Sequence, residues 1–165
     1  MLDLIKRGSV AGLTAGVAVA VGVLVYDLFN MAPLATPAAL ARNLMGAPVI
    51  TSTDVGVLAW LSLVAQRSYS LAAYTLTHLS IFALVGIFAA WMFRTGRVPA
   101  NALTGALFGL AVGTGVFYAG WGLLAPSFVE IPAWQLIAAM NAIAGVVLVA
   151  QLTDDPVPTD GPSAA

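Results

Sequence analysis

Apolar positions in this chain gather into four long runs, at about 8–30, 69–93, 99–123 and 131–151. A helix needs roughly 20 apolar residues to cross a bilayer, and each run meets that length. Polar residues collect between the runs, above all in the long connection 31–68. That connection is too long to be only a loop. Thr36-Pro37 offers an N-cap followed by a favoured first helical residue, so the pattern predicts a short helix from Pro37 to Met45, ended by Gly46. A further apolar run, Val55 to Gln66, follows a second start signal at Thr53-Asp54. It is too short to cross and too apolar to stay in water. It reads as an interfacial helix with Trp60 at headgroup depth, the alternative being an outward extension of the second span. The expected fold is therefore all-α: an integral membrane four-helix bundle with short interfacial helices in its first outer loop.

Two of the runs repeat each other. Residues 12–33, GLTAGVAVAVGVLVYDLFNMAP, align without a gap on residues 105–126, GALFGLAVGTGVFYAGWGLLAP. Eight of the 22 columns are identical, including Gly12 with Gly105, Gly16 with Gly109, Gly22 with Gly115 and Pro33 with Pro126. A chain so rich in Ala, Gly, Val and Leu would give about two or three by chance, which suggests a doubled helical hairpin. In both copies Gly-x-x-x-Gly sets bare positions on one helix face, where a second helix can approach closely in lipid. Gly12, Gly16, Gly105, Gly109 and Gly113 are the expected packing positions, the last three at strict fourth positions.

Composition narrows the class further. Of 165 residues, 61% are hydrophobic and 8% charged, which excludes an ordinary soluble domain. A formal net charge of -1 gives no basic surface for nucleic acid. The chain has no cysteine, so disulfides, thiolate metal sites, iron-sulfur clusters and a thiol nucleophile are excluded. Lys6 and Arg7 before a long apolar run, with Ala39-Leu40-Ala41 downstream, resemble a signal peptide. The run exceeds a typical signal core, so a retained first span is expected. Lys6, Arg7, Arg94 and Arg97, four of the six basic residues, fall on one side of the spans. The positive-inside rule places that side, with both termini, in the cytoplasm. The polar, Pro-rich tail 153–165 reads as a disordered cytoplasmic end.

Candidate chemistry is confined to the outer half. His78, the one histidine, sits roughly nine residues below the outer end of its span, about 13 Å deep at 1.5 Å per residue. It either bonds a Ser, Thr or backbone group of a neighbouring helix, or serves as a ligand or relay. The latter covers an axial ligand to a haem or chlorin, a hydrogen bond to a quinone, or a partner of Asp27. Tyr74 stands one turn away. Asp27, about two turns from the outer end of its helix, can pair with Arg42, Arg67 or His78, snorkel to the interface, or tie the outer loop to the bundle. Asn141 and Gln135 read as polar glue between helices, and Glu130 as a solvated residue; Tyr118 and Trp121 add to the outer-half set. Met31 and Met45 near Asp27 read as filler rather than as copper ligands. No arrangement for nucleophilic, phosphate-binding or two-metal catalysis assembles, so a non-enzymatic role is expected.

The series Asp27-x5-Pro33-x2-Thr36-Pro37, then Tyr74-x3-His78 with Gly86 along the same helix, resembles a family of small four-span bacterial membrane proteins. The resemblance excludes Val49 to Ser68 and the tail, and it implies topology and a bacterial inner (cytoplasmic) membrane. Two functional expectations follow. The first is an accessory or structural subunit of a larger respiratory or photosynthetic complex, docking on other membrane subunits through its glycine faces and touching a pigment, quinone or lipid near His78. The second is a small homo-oligomeric transporter or channel lined by Asp27 and His78. An enzyme acting on lipid is the third and least supported, since one His and one Asp make a thin active site.

Overall fold

The computed structural model describes residues 1–45, 57–96, 98–124 and 134–153. Helices are its only regular structure: α1 (Leu2–Phe29), α2 (Ala35–Met45), α3 (Val57–Arg94), α4 (Ala102–Phe108), a π-helical turn (Gly109–Gly113), α5 (Thr114–Leu124) and α6 (Trp134–Thr153). Four helical stretches are long and apolar enough to cross a membrane: Leu2–Phe29, Val64–Arg94, Ala102–Gly120 and Trp134–Thr153. The expected all-α fold, with four helices long and apolar enough to cross, is thus present. The tail beyond 153 and the fourth-span entrance, including Glu130, lie outside the described residues.

One expectation is corrected. The interfacial helix expected over 55–66 is not a separate element, because α3 runs unbroken from Val57 to Arg94. Thirty-eight residues at 1.5 Å each make a rod of about 57 Å, well beyond a hydrocarbon core of roughly 30 Å. The sequence permits this continuity, since no Pro or Gly stands between Val57 and Gly86 to stop the helix.

Two seams of bare backbone hold the crossings together. On α1, Gly8, Gly12 and Gly16 face α3; a Cβ on Gly8 would come within 2.6 Å of the Ile87 Cα, and one on Gly12 would overlap the Phe82 carbonyl. Gly86 returns the contact between Gly8 and Gly12. On α4 and the π turn, Gly105, Gly109 and Gly113 face α6 in the same manner, meeting Asn141 and Gly145. Such approach lets dispersion contacts form along whole backbones, the main attraction available between helices in lipid. All five expected packing glycines are in these seams. Gly8, Gly86 and Gly145 complete them.

The core lies at the end of the bundle carrying the N-terminus. Ala11, Ala15 and Val19 of α1 pack there with Ala89 and Phe93 of α3, Phe108 of α4, and Ala144, Leu148 and Val149 of α6. Phe93 meets Phe108 edge-on at 5.8 Å between centroids, closing α3 onto α4. At this end Arg7 also pairs with Asp3 at 3.1 Å, and Arg94 reaches the same carboxylate at 3.8 Å. Both pairs are largely solvent-exposed and add little stability.

At the other end α1 stops in a Schellman turn. The Ala32 N–H donates to the Asp27 carbonyl and the Met31 N–H to the Leu28 carbonyl, with Met31 in the left-handed region at φ 55°. A second left-handed residue, Leu34 at φ 64°, then turns the chain into α2. Helix α2 starts at Ala35, two residues before the predicted Pro37. The earlier start is possible because the Asp27 carboxylate of α1 accepts the Thr36 N–H at 2.9 Å, satisfying a donor of the helix's first turn that has no partner within the helix. Methionine has no side-chain hydrogen bond to offset the left-handed strain. Met31→Gly is accordingly expected to raise the thermal unfolding midpoint in detergent, by the equivalent of about 0.5–1 kcal/mol. A lower midpoint would mean that the Met31 side chain contributes more than its backbone strain costs.

Candidate functional site: an uncharged cavity beneath α2

The helices separate toward the α2 end. Beyond the π turn no glycine of α5 meets a neighbour, and Gly115, Gly120 and Gly122 face open space. The result is a cavity of about 450 Å³ bounded by α1, α3, α5 and α6. Its volume is in the range of small-molecule sites. Helix α2 forms the roof. Leu40 of α2, only 3% exposed, packs between Tyr74 of α3 and Phe117 of α5, bridging the gap between those two crossings.

Among the described residues none that lines this cavity is charged, and most are Val, Leu, Ile, Phe or Ala. The polar ones differ in what they have left to offer. Thr75 and Thr77 donate their hydroxyls back to the carbonyls of Leu71 and Ala73, at 2.8 and 2.9 Å. Asn141, buried, donates its amide to the Ile137 carbonyl at 3.0 Å, while its Oδ1 lies against Gly113. These groups are committed to their own helices or to the seam.

His78 and Tyr74 are not. The His78 ring lies between Tyr74, 5.8 Å away by centroids, and Phe82, at 4.7 Å, so three mutually tilted rings at i, i+4 and i+8 form one row along α3. Nε2 of His78 is 3.2 Å from the Gly16 carbonyl of α1. A carbonyl can only accept, so Nε2 carries the hydrogen and Nδ1 keeps a lone pair. The Tyr74 hydroxyl has no hydrogen-bond partner among the described residues, although its ring is half-buried. The backbone bond to Gly16 realises the structural role expected for His78, and it also leaves one nitrogen available. For the axial-ligand expectation, it removes one of the two nitrogens that could bind a tetrapyrrole metal. Among the described residues no three His, Cys, Asp or Glu side chains gather as a metal site.

Asp27 belongs to a different place. Its carboxylate is 2% exposed and accepts both the Thr36 N–H on Oδ2 and the Thr36 hydroxyl on Oδ1, the latter at 2.6 Å. It does not line the cavity. His78 meets α1 at Gly16, eleven residues from Asp27, so about 16 Å of helix separates them. The expected Asp27 partnership with His78 is therefore not formed. Of the alternatives weighed for Asp27, tying the outer connection to the bundle is the one its contacts match. Gln135, expected between helices, is exposed instead, and Tyr118 stacks edge-on against Phe117 at the bundle surface. The side chains of Arg67 and Trp121 lie outside the described residues.

No family model, curated protein or solved structure matches this chain. The site rests on its own geometry.

Sequence reasoning found His78, Tyr74 and Asp27 but missed Leu40, Phe117 and Thr36 as a partner of Asp27. Leu40 and Phe117 carry no signal, being two apolar residues among many. Thr36 was visible as a helix start, and an acid placed nine residues before such a start was the available hint.

Proposed function

We propose that this chain is a non-enzymatic membrane protein that holds a neutral lipid-like or quinone-like molecule in the cavity beneath α2, working as an accessory subunit of a larger respiratory or photosynthetic assembly. The observation that carries the binding role is the cavity itself: about 450 Å³, with no charged residue among its described lining, roofed by a tethered helix, and presenting His78 and Tyr74. An apolar hole of that size loses the dispersion contacts of its lining unless something fills it. The subunit role draws on the apolar outer faces of the four helices and on the small number of charged residues.

Gly120 gives a direct test. It lines the cavity, and a Cβ added there meets nothing within 4 Å. Gly120→Leu is expected to fill the space and cut the lipid or quinone retained through purification at least tenfold, read by mass spectrometry of solvent extracts, while the unfolding midpoint holds. Equal retention in the variant would remove the cavity as the binding place. Assembly is tested separately by mild-detergent extraction from the native membrane. Co-migration with larger subunits is the expected result, and migration solely as a monomer or homo-oligomer would argue against an accessory subunit.

A transporter gains less from the geometry. Asp27 and His78 lie about 16 Å apart along α1, and the half of the bundle below the cavity is closed by the two glycine seams and the aromatic contacts of Phe93 and Phe108. Among the described residues, the packed core of that half carries no charged side chain to line a route. We further propose a bacterial inner membrane, with both termini cytoplasmic, on the distribution of Lys6, Arg7, Arg94 and Arg97 and on the four-span family resemblance.

We also propose that the two hairpins are copies of one another. Support comes from matched contacts: Gly8, Gly12 and Gly16 meet Phe82 and Gly86 much as Gly105, Gly109 and Gly113 meet Asn141 and Gly145. In that register Gly12 corresponds to Gly109, one helical turn from the pairing of Gly12 with Gly105. His78 then corresponds to Ile137, and both line the cavity.

A further inference from the structure

Resting on the reading of the cavity as a binding site, we propose that its occupant carries a hydroxyl head that donates to His78 and accepts from Tyr74, on a long apolar body. The inference follows from what each lining group has left. The Nε2 hydrogen of His78 is spent on the Gly16 carbonyl, so the remaining atom, Nδ1, can only accept. The Tyr74 hydroxyl, one helical turn away on the same face, has a hydrogen to give. The Thr75 and Thr77 hydroxyl hydrogens are spent on backbone carbonyls, and Asn141, which gives one of its two amide hydrogens to Ile137, sits down on the seam against Gly109 and Gly113.

A head matched to this pair must both give and receive a hydrogen. An alcohol, a phenol or a quinol does so with a single oxygen. A ketone, ester or oxidised quinone can only accept; it satisfies Tyr74 and leaves the His78 lone pair without a partner, which costs free energy in an apolar site. A phosphate or carboxylate is disfavoured more strongly, because among the described residues none in the lining carries positive charge to offset its desolvation. Apart from Thr36, Thr75, Thr77 and Asn141, the described lining is aliphatic, aromatic or glycine and fits a hydrocarbon body. The hydroxyl has two natural sources, an alkyl or prenyl alcohol and the reduced form of a quinone.

The purified full-length protein, in detergent, is titrated with four chain-matched probes: dodecan-1-ol, its methyl ether, dodecanoate at pH 8, and dodecane. Affinities are read by native mass spectrometry. Decylhydroquinone and decylbenzoquinone form a second pair, measured with and without reductant. Dodecanol is expected to bind about five- to tenfold more tightly than the methyl ether, the span of one hydrogen bond. His78→Leu should abolish that preference. Tyr74→Phe, which preserves the row of rings and needs no refolding of the seam, should weaken alcohol and ether alike by a similar factor. Preference for the hydroquinone over the alcohol would assign the reduced quinone as the source, and the reverse an alcohol. Equal binding of alcohol, ether and alkane would overturn the hydroxyl assignment while leaving the cavity as a lipid site. Tightest binding of dodecanoate would overturn it as well. Binding of none of the probes, with Gly120→Leu also without effect on retained lipid, would overturn the underlying reading.

Discussion

Gly145→Val is expected to leave little folded protein after extraction into mild detergent, whereas Gly115→Ala, on α5, should fold as well as the parent. The two glycines look alike in sequence, each within a long apolar run. They differ in what stands opposite. A Cβ on Gly145 would overlap the Gly105 carbonyl and come within 2.8 Å of the Gly109 backbone nitrogen. Both obstacles are main-chain atoms of a helix, so no rotamer change relieves them; the crossings must separate along their whole seam. Overpacking a close-fitted core costs about 1–3 kcal/mol where side chains can yield, and a backbone obstacle belongs at or beyond the upper end. A total stability of about 5–15 kcal/mol loses a large share to one such change. Gly115 has open space on that side, and alanine there should be neutral or gain up to about 1 kcal/mol from helix propensity. Thermal unfolding in detergent, followed by circular dichroism, separates the cases. Equal midpoints for Gly145→Val and the parent would mean that the α4–α6 seam is not closed as described.

The glycine contrast also shows where sequence reading stops. Four apolar runs, and the rows Gly12-Gly16 and Gly105-Gly109-Gly113, were legible because length and i, i+4 spacing are properties of one helix. Gly86 and Gly145 each face such a row alone. A single glycine has no periodicity, so its role depends on a partner far away in the chain. The same limit explains the one-turn difference between the repeat as aligned and the repeat as proposed from contacts: a row with period four looks nearly the same after a slip of four. Continuity of α3 through residues 57–68 was undecidable locally, since an apolar segment before a crossing can lie across its axis or along it. The candidate site was half legible. His78 and Tyr74 share a face by spacing, but placing Asp27 beside them required its depth on α1 relative to His78 on α3, and that is set by which glycines mesh. The tyrosine, histidine and phenylalanine row was readable; the roof over it was not.

Asp27→Ala should release that roof. Helix α2 is held to the bundle by Leu40 below and by Thr36 above, whose N–H and hydroxyl both donate to the buried Asp27 carboxylate. Hydrogen bonds to a charged acceptor contribute about 1.5–3 kcal/mol each, so losing the pair removes roughly 3 kcal/mol or more from the docking of α2. At about 1.4 kcal/mol per tenfold, the amides of residues 38–45 should lose about 100-fold or more in hydrogen-exchange protection, with the seams of α1, α3, α4 and α6 unaffected. Asp27→Asn keeps an acceptor for the Thr36 N–H and lets the Thr36 hydroxyl rotate to accept the amide hydrogen, but both bonds lose their charged acceptor; it should cost about tenfold in protection, about 1.4 kcal/mol. Thr36→Val removes the hydroxyl bond from the other side, so combining it with Asp27→Asn should cost less than the two changes summed, the mark of a shared interaction. Because Leu40 covers the cavity, an α2 that opens more often should also let a bound dodecanol leave faster by a comparable factor. The Asp27 carboxylate never touches the ligand, so its effect must fall on the rate of escape and of entry together, leaving the equilibrium affinity nearly unchanged. Unaltered protection of α2 in Asp27→Ala would show that Leu40 alone holds the roof, and a large loss of affinity with unaltered exchange would place Asp27 in the site after all.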